Sequence, residues 1–280
     1  MRILLFLITN FAITTALGLI GYIALNFLGI DTEGMGGLLV YSLVIGFGGS
    51  LFSLLMSKSM AKRSVGAMVI TQPQNETERW LIQTIETQSQ KLGIKMPEVA
   101  IYQSDDMNAF ATGAFKNSAL VAVSTGLMEQ MTRDEVEAVL AHEMSHVNNG
   151  DMVTMSLLQG LVNTFVVFVA RLVSGLIAKN RGARTLIYMG LQMGLMFLAN
   201  MIIMWFSRRR EYYADAGSAD LVGPTKMIGA LKKLQQPRLQ EEMPEGLAAF
   251  GISGAQDSLF STHPSLENRI QALQEAAYKV

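Results

Sequence analysis

The sequence predicts a mainly α-helical membrane protein that also carries an α+β segment with a small sheet. Three observations lead there. Half of the 280 residues are apolar and 16% are charged, too apolar a balance for an ordinary water-soluble domain of this size. Four stretches are apolar enough to cross a bilayer, which takes about 20 residues. Between the second and third of these lies a segment that mixes helical spacing with short β-branched runs.

The four apolar stretches run from Leu4 to Leu28, Leu38 to Met56, Met152 to Ala178 and Leu186 to Phe206. The first is longer than the apolar part of a signal peptide and lacks a small-residue cleavage pattern, so it reads as a retained anchor. Basic residues flank the spans unevenly. Arg2 precedes the first; Lys58, Lys62 and Arg63 follow the second; Arg208, Arg209 and Arg210 follow the fourth. Asp31 and Glu33 lie between the first two. The positive-inside rule then puts the N-terminus and the region after residue 57 in the cytoplasm. Lys179, Arg181 and Arg184 in the loop between spans three and four run against this orientation, and Arg171, inside the third, is expected to snorkel toward the nearer interface.

Net charge is near zero, which removes the bulk electrostatic case for a nucleic-acid partner. The absence of cysteine excludes disulfides and thiolate metal ligands, leaving histidine and carboxylate. Only three histidines exist: His142, His146 and His263.

Between the spans, Asn75 to Leu92 has helical spacing and stops at Gly93. Val99 to Tyr102, Ala119 to Val123 and Met107 to Thr112 read as strands. Thr132 with Glu135 forms a capping box, so a helix starts there and ends near Gly150. After the fourth span the helix continues to Gly223-Pro224. A further helix covers Lys226 to Gln235, residues 237–256 read as a loop, and Ser265 to Tyr278 as a last helix.

The chemistry sits in His142-Glu143-Met144-Ser145-His146. Positions i and i+4 of a helix lie one above the other, so two imidazoles so placed can bind one ion. Val136, Leu140, Met144 and Val147 occupy another face and can pack while the histidines face a cleft. Catalytic zinc takes three protein ligands and keeps a position for water. Glu143, beside the first histidine, can reach such a water and take its proton, which is the chemistry of amide hydrolysis. Glu211 and Asp215, again i and i+4, supply a candidate third ligand and a carboxylate to accept a ligand's N–H. Two apolar stretches separate His146 from Glu211, so both fall on one side of a membrane. At 1.5 Å per residue each lies within roughly 10 Å of a span's end, which places the site near the cytoplasmic bilayer surface.

The runs NAFATG (Asn108 to Gly113), VSTGLM (Val123 to Met128), AVLAHEMSHVNNGD (Ala138 to Asp151), RREYYADAGSA (Arg209 to Ala219) and STHPSLENRI (Ser261 to Ile270) together resemble the HtpX heat-shock membrane proteases. These lie within a larger metallopeptidase family that includes the CAAX prenyl proteases. The likeness covers nearly the whole chain. It implies a gluzincin-like catalytic fold with an active-site helix beside the sheet. It implies one zinc ion at His142, His146 and Glu211, with Glu143 catalytic. The activity implied is endopeptidase quality control of misfolded or damaged membrane proteins in the bacterial inner membrane, with the catalytic domain cytoplasmic.

Asn108 then falls at the edge strand beside the cleft, where it can help polarise the scissile carbonyl or serve only as a turn residue. His263 can donate to the oxyanion or act as a structural residue before the last helix. Arg269 reads as a surface salt-bridge residue. The expected organisation has four parts: two transmembrane helices in 1–57, the first catalytic part in 58–151, a membrane hairpin in 152–206 and the second catalytic part in 207–280. The partners expected are lipid and membrane-protein or unfolded polypeptide substrates. Two other functions fit the composition: a non-catalytic zinc-stabilised scaffold or chaperone, and a CAAX-type prenyl-protein protease. An intact Glu143 disfavours the first, and the small number of spans disfavours the second.

Overall fold

The computed structural model describes residues 19–23, 25–29, 34–235 and 263–277. The first expected span falls largely outside these residues, as does the expected loop at 237–256. Residues 19–23 and 25–27 are helical.

The described elements are, in order, α1 (Met35–Val65), β1 (Met68–Val69), α2 (Glu76–Leu92), β2 (Glu98–Tyr102), β3 (Ala109–Thr112), a 3-10 turn (Lys116–Ser118), β4 (Leu120–Ser124), α3 (Thr125–Gln130), α4 (Arg133–Asn149), α5 (Asp151–Ile177), α6 (Arg181–Val222), α7 (Pro224–Leu234) and α8 (Leu266–Ala277). Three of these helices, α1, α5 and α6, are long and apolar enough to cross a membrane. The short strand β1, the 3-10 turn and the helix α3 had no counterpart in the sequence reading. At two, three and six residues, they are too short to carry a periodic signal.

The chain divides into two compact units, one of residues 1–54 with 154–203 and the other of 55–153 with 204–280.

The first unit is built from apolar helix. A Cβ at Gly46 would lie 2.1 Å from the Thr164 hydroxyl, and one at Gly160 would lie 2.6 Å from the Phe47 ring. Hydrogen atoms at these two positions therefore let α1 and α5 cross closely, as small residues do between membrane helices. Arg171 does not snorkel outward. Its guanidinium donates to the Tyr41 hydroxyl at 2.8 Å and lies 3.9 Å from that ring's centroid, which combines a hydrogen bond with cation–π attraction.

The second unit is a sheet covered by helices. The strand order is β1-β2-β4-β3, with β2 and β4 parallel and the two outer pairs antiparallel. Side chains alternate across it. Val99, Val121, Val123, Ala109 and Ala111 enter the main core with α2, α4, α7 and α8. Ala100, Tyr102, Leu120, Ala122 and Phe110 form a smaller cluster on the opposite face with Ala61. Both faces are covered, so the strand interiors are apolar on both sides, with polar residues only at strand ends: Glu98, Thr112 and Ser124.

Capping fixes the helices that matter for the site. Asn75 caps α2 through its side chain, and Gly93 ends it in the left-handed region at φ 65°. The Thr132–Glu135 capping box starts α4, and Gly150 ends it at φ 70°. The α4 helix is more deeply enclosed than an amphipathic reading predicts. His142, Glu143 and Ser145 are buried along with Val136, Leu140, Met144 and Val147. The polar face meets other buried polar side chains, not a cleft open to solvent.

Candidate metal centre

His142 and His146 sit one helical turn apart on α4, with their rings edge to face and 4.7 Å between centroids. Their Nε2 atoms are 3.1 Å apart. Glu211 comes from α6, Oε2 lying 3.6 Å from His142 Nε2 and Oε1 3.4 Å from His146 Nε2. These three residues form a group whose ligand atoms all lie within 4.8 Å of one another. A tetrahedral ion with bonds of about 2.0–2.1 Å requires ligand atoms roughly 3.4 Å apart, so the triangle has the size such an ion needs.

The outward nitrogens explain why the inward ones face each other. Asp215 Oδ1 lies 3.0 Å from His142 Nδ1, and Asp151 Oδ2 lies 2.5 Å from His146 Nδ1. A carboxylate accepting from Nδ1–H leaves each Nε2 with a lone pair. Two such lone pairs at 3.1 Å repel unless a cation or proton lies between them. The charge inventory agrees. Glu143, Asp151, Glu211 and Asp215 contribute four carboxylates, opposed by the two guanidiniums of Arg210 and Arg269. With both imidazoles neutral, as ligation requires, one divalent cation neutralises the remaining pair of negative charges, so the residues fit a metal ion.

Perturbed acidities follow from the same arrangement. Burial alone lowers the basicity of both histidines, yet Asp215 and Glu211 raise His142, and Asp151 and Glu211 push His146 up to about 10. Burial alone would raise the Glu211 carboxyl, but His263, His142 and His146 hold it well below the usual range. Glu143 has the opposite balance. Burial raises it, and the two histidines and the Ala111 N–H of β3 offset this only in part.

The sequence-derived candidates converge unevenly. His142, His146, Glu211 and Asp215 meet as described. Glu143 is 4% exposed beside them. His263 is buried, with Nδ1 3.0 Å from Glu211 Oε2. Asn108 is buried just before β3; its backbone N–H donates to the Ser124 hydroxyl at 3.0 Å, and its side chain approaches the Tyr102 hydroxyl.

Arg269 corrects the sequence reading. It is fully buried and not a surface residue, with Nε and Nη2 bonded to Asp215 at 2.8 and 2.6 Å and Nη1 3.3 Å from Glu211. Charge alone cannot reveal burial in a sequence, and lysine or arginine is almost never buried unless paired. Arg210, which follows the fourth apolar stretch, points back to Asp151 at 3.9 Å. Asp151 itself was missed. Its signal was its place five residues after His146, just past the Gly150 turn.

Residues 75–277 match the description "Peptidase family M48". The chain belongs to peptidase family M48. It is a membrane-associated metallopeptidase, and the alternative of a scaffold is disfavoured by its relatives. It is 56% identical to "Protease HtpX" of Actinobacillus pleuropneumoniae serotype 5b, with 98% of each chain covered. It is 55% identical to "Protease HtpX homolog" of Neisseria meningitidis serogroup B, over 98% of this chain and 99% of the relative. Among solved structures it is similar in fold to Ste24p of S. mikatae, with a TM-score of 0.62 at 19% identity. That alignment covers 94% of this M48 chain and 63% of the length of Ste24p.

Proposed function

We propose that this protein is a zinc-dependent endopeptidase of the bacterial inner membrane that cleaves misfolded or damaged membrane proteins. His142, His146 and Glu211 hold the zinc, and Glu143 is the general base. The observation that carries this reading is the pair of imidazole Nε2 atoms turned toward each other at 3.1 Å, closed by Glu211. An imidazole–carboxylate set of this kind suits zinc. When bound, the zinc ion supplies Lewis acidity, polarising a carbonyl and lowering the pKa of water to about 7.

The chain's own residues do the rest. Burial raises the Glu143 carboxyl, which makes it a better proton acceptor near neutral pH. Glu143 takes the proton of the attacking water and returns it to the leaving amine. In this reading His263, beside Glu211, donates to the oxyanion, and Asn108 supports the scissile carbonyl. Among the described residues β3 is an edge strand, so an extended substrate pairs with its outer edge by β-augmentation, which holds backbone without reading sequence closely. Parts 58–151 and 207–280 form the catalytic domain and face the cytoplasm, as the basic residues flanking the apolar helices direct.

The test is purification in detergent beside Glu143→Gln, with zinc content and cleavage of an unfolded casein measured for both. Zinc in both and cleavage only by the unmodified protein is the expected result. Protein that takes up no zinc when freshly loaded sinks the ligand assignment. Zinc in both without any cleavage removes the peptidase role.

A further inference from the structure

The turn joining β3 to β4 is tightly built. Gly113 has φ +141°, and a Cβ there would meet Ser118 O at 2.8 Å and Ala119 Cα at 2.9 Å. The Ser118 N–H donates to Phe115 O at 2.9 Å, and the Lys95 N–H to Asn117 Oδ1 at 3.2 Å. The Glu98 N–H donates to Ala119 O at 2.9 Å. Yet this braced turn presents Phe115 with 64% of its surface exposed. Turns ordinarily carry small polar residues for local bonding, so a large ring fixed at a tip calls for an apolar partner.

Two neighbours within the same unit say where the tip lies. Lys58 Nζ approaches Ser118 O at 3.5 Å, and Lys58 stands just past the apolar stretch of α1. The Lys116 side chain lies 3.5 Å from where a Gly150 Cβ would be. Gly150 ends α4 immediately before the apolar helix α5 begins at Asp151. The tip thus lies beside the residues at which the chain passes into two apolar helices, which is where a bilayer surface must fall. Its charge is suitable as well. Lys116 is the one charged residue between Met107 and Met128, so the tip pairs an aromatic ring with a single cation and no acid. That combination fits a ring among the upper acyl chains and an ammonium at lipid phosphates.

We propose that the 113–118 turn is a membrane-contacting element, with Phe115 inserted into the bilayer interface and Lys116 paired with lipid phosphate. The contact fixes β3, whose Ala111 N–H bonds Glu143, against the membrane. Segments emerging from the bilayer then meet the strand edge without a long excursion through water. The inference rests on the bilayer being this protein's environment.

The sequence contains no cysteine, so a single introduced thiol can be labelled cleanly with the environment-sensitive fluorophore NBD. Phe115→Cys is compared, in vesicles of phosphatidylethanolamine and phosphatidylglycerol, with Leu161→Cys on α5 and Glu86→Cys on α2. The expected result is a blue-shifted Phe115 label that loses emission to doxyl-labelled lipid and resists aqueous iodide, as the Leu161 label does. A Phe115 label that matches Glu86 and is quenched by iodide overturns the proposal while a buried Leu161 label keeps the membrane reading. If the Leu161 label also reports water, the membrane reading falls and the proposal with it. A blue shift that appears only on adding unfolded casein identifies a substrate contact and overturns lipid insertion. A functional arm uses Phe115→Asp and Phe115→Trp. The acidic variant is expected to lose cleavage of a bilayer-embedded substrate but keep casein cleavage in detergent, and the Trp variant to keep both. Bilayer cleavage by Phe115→Asp that matches the unmodified protein, or a loss of both activities in equal proportion, overturns the positioning role.

Discussion

Asp215 receives two side chains on one carboxylate: His142 Nδ1 lies 3.0 Å from its Oδ1, and Arg269 grips both oxygens at 2.6 and 2.8 Å. The imidazole orientation therefore depends on a carboxylate that is itself held in place. Replacing Asp215 with Asn keeps the shape but removes the charge that favours the Nδ1–H tautomer. Partners of this kind typically contribute 10- to 100-fold to metal affinity. Asp215→Asn is expected to lose about that much in a chelator-competition titration, and Asp151→Asn the same through His146.

Arg269 is 0% exposed and its charge is answered by Asp215 and Glu211. Removing one partner of a buried ion pair leaves an uncompensated charge and costs about 3–5 kcal/mol. Arg269→Met is expected to lower stability by that order in denaturant unfolding. Adding Asp215→Leu is expected to recover part of the stability but not the metal affinity. A single variant as stable as the unmodified protein contradicts the paired-charge reading.

Gly217 brings α6 against α4. A Cβ at this position would lie 2.5 Å from the Ser145 hydroxyl and 2.9 Å from its Cβ. Neither helix can yield cheaply, because Ser218 also bonds the Ala138 carbonyl at 2.8 Å. Gly217→Ala is expected to cost about 1–3 kcal/mol, with Ser145→Gly restoring part of it. Thermal unfolding of the single and double variants checks this.

Glu98 is clamped between Lys58 and Lys62 at 2.7 and 2.6 Å. Burial alone would raise its carboxyl, but the two ammonium groups bring it below its ordinary value of 4.5. A depressed folded value means that the ionised form stabilises the fold above about pH 4.5 and that this is lost as pH falls through the lower folded value. The side chain is 41% exposed, so solvent screening keeps the effect small. The melting temperature of Glu98→Gln is expected to trail the unmodified protein at pH 6 and to converge with it as pH falls through the depressed folded value.

Local geometry made much of this protein legible in its sequence. The His142–His146 spacing, the Thr132–Glu135 box, the Gly93 and Gly150 stops and the apolar helices α1, α5 and α6 all express interactions within a few residues. Helical periodicity and bilayer thickness read such patterns directly. Glu211 and Asp215 were accessible for the same reason, as an i, i+4 pair.

What only the tertiary structure decided is which charges are buried together. Arg269 looked like a surface residue because nothing near it in sequence compensates it; its partners lie 54 and 58 positions away. Asp151 stands close to His146 in sequence, but only the left-handed turn at Gly150 brings its carboxylate back to the ring. Phe115 is an unremarkable apolar residue until its hairpin is seen held rigid with the ring outside. A charge or a ring declares its role through the dielectric and partners around it, and those are set by packing between distant segments, not by local spacing.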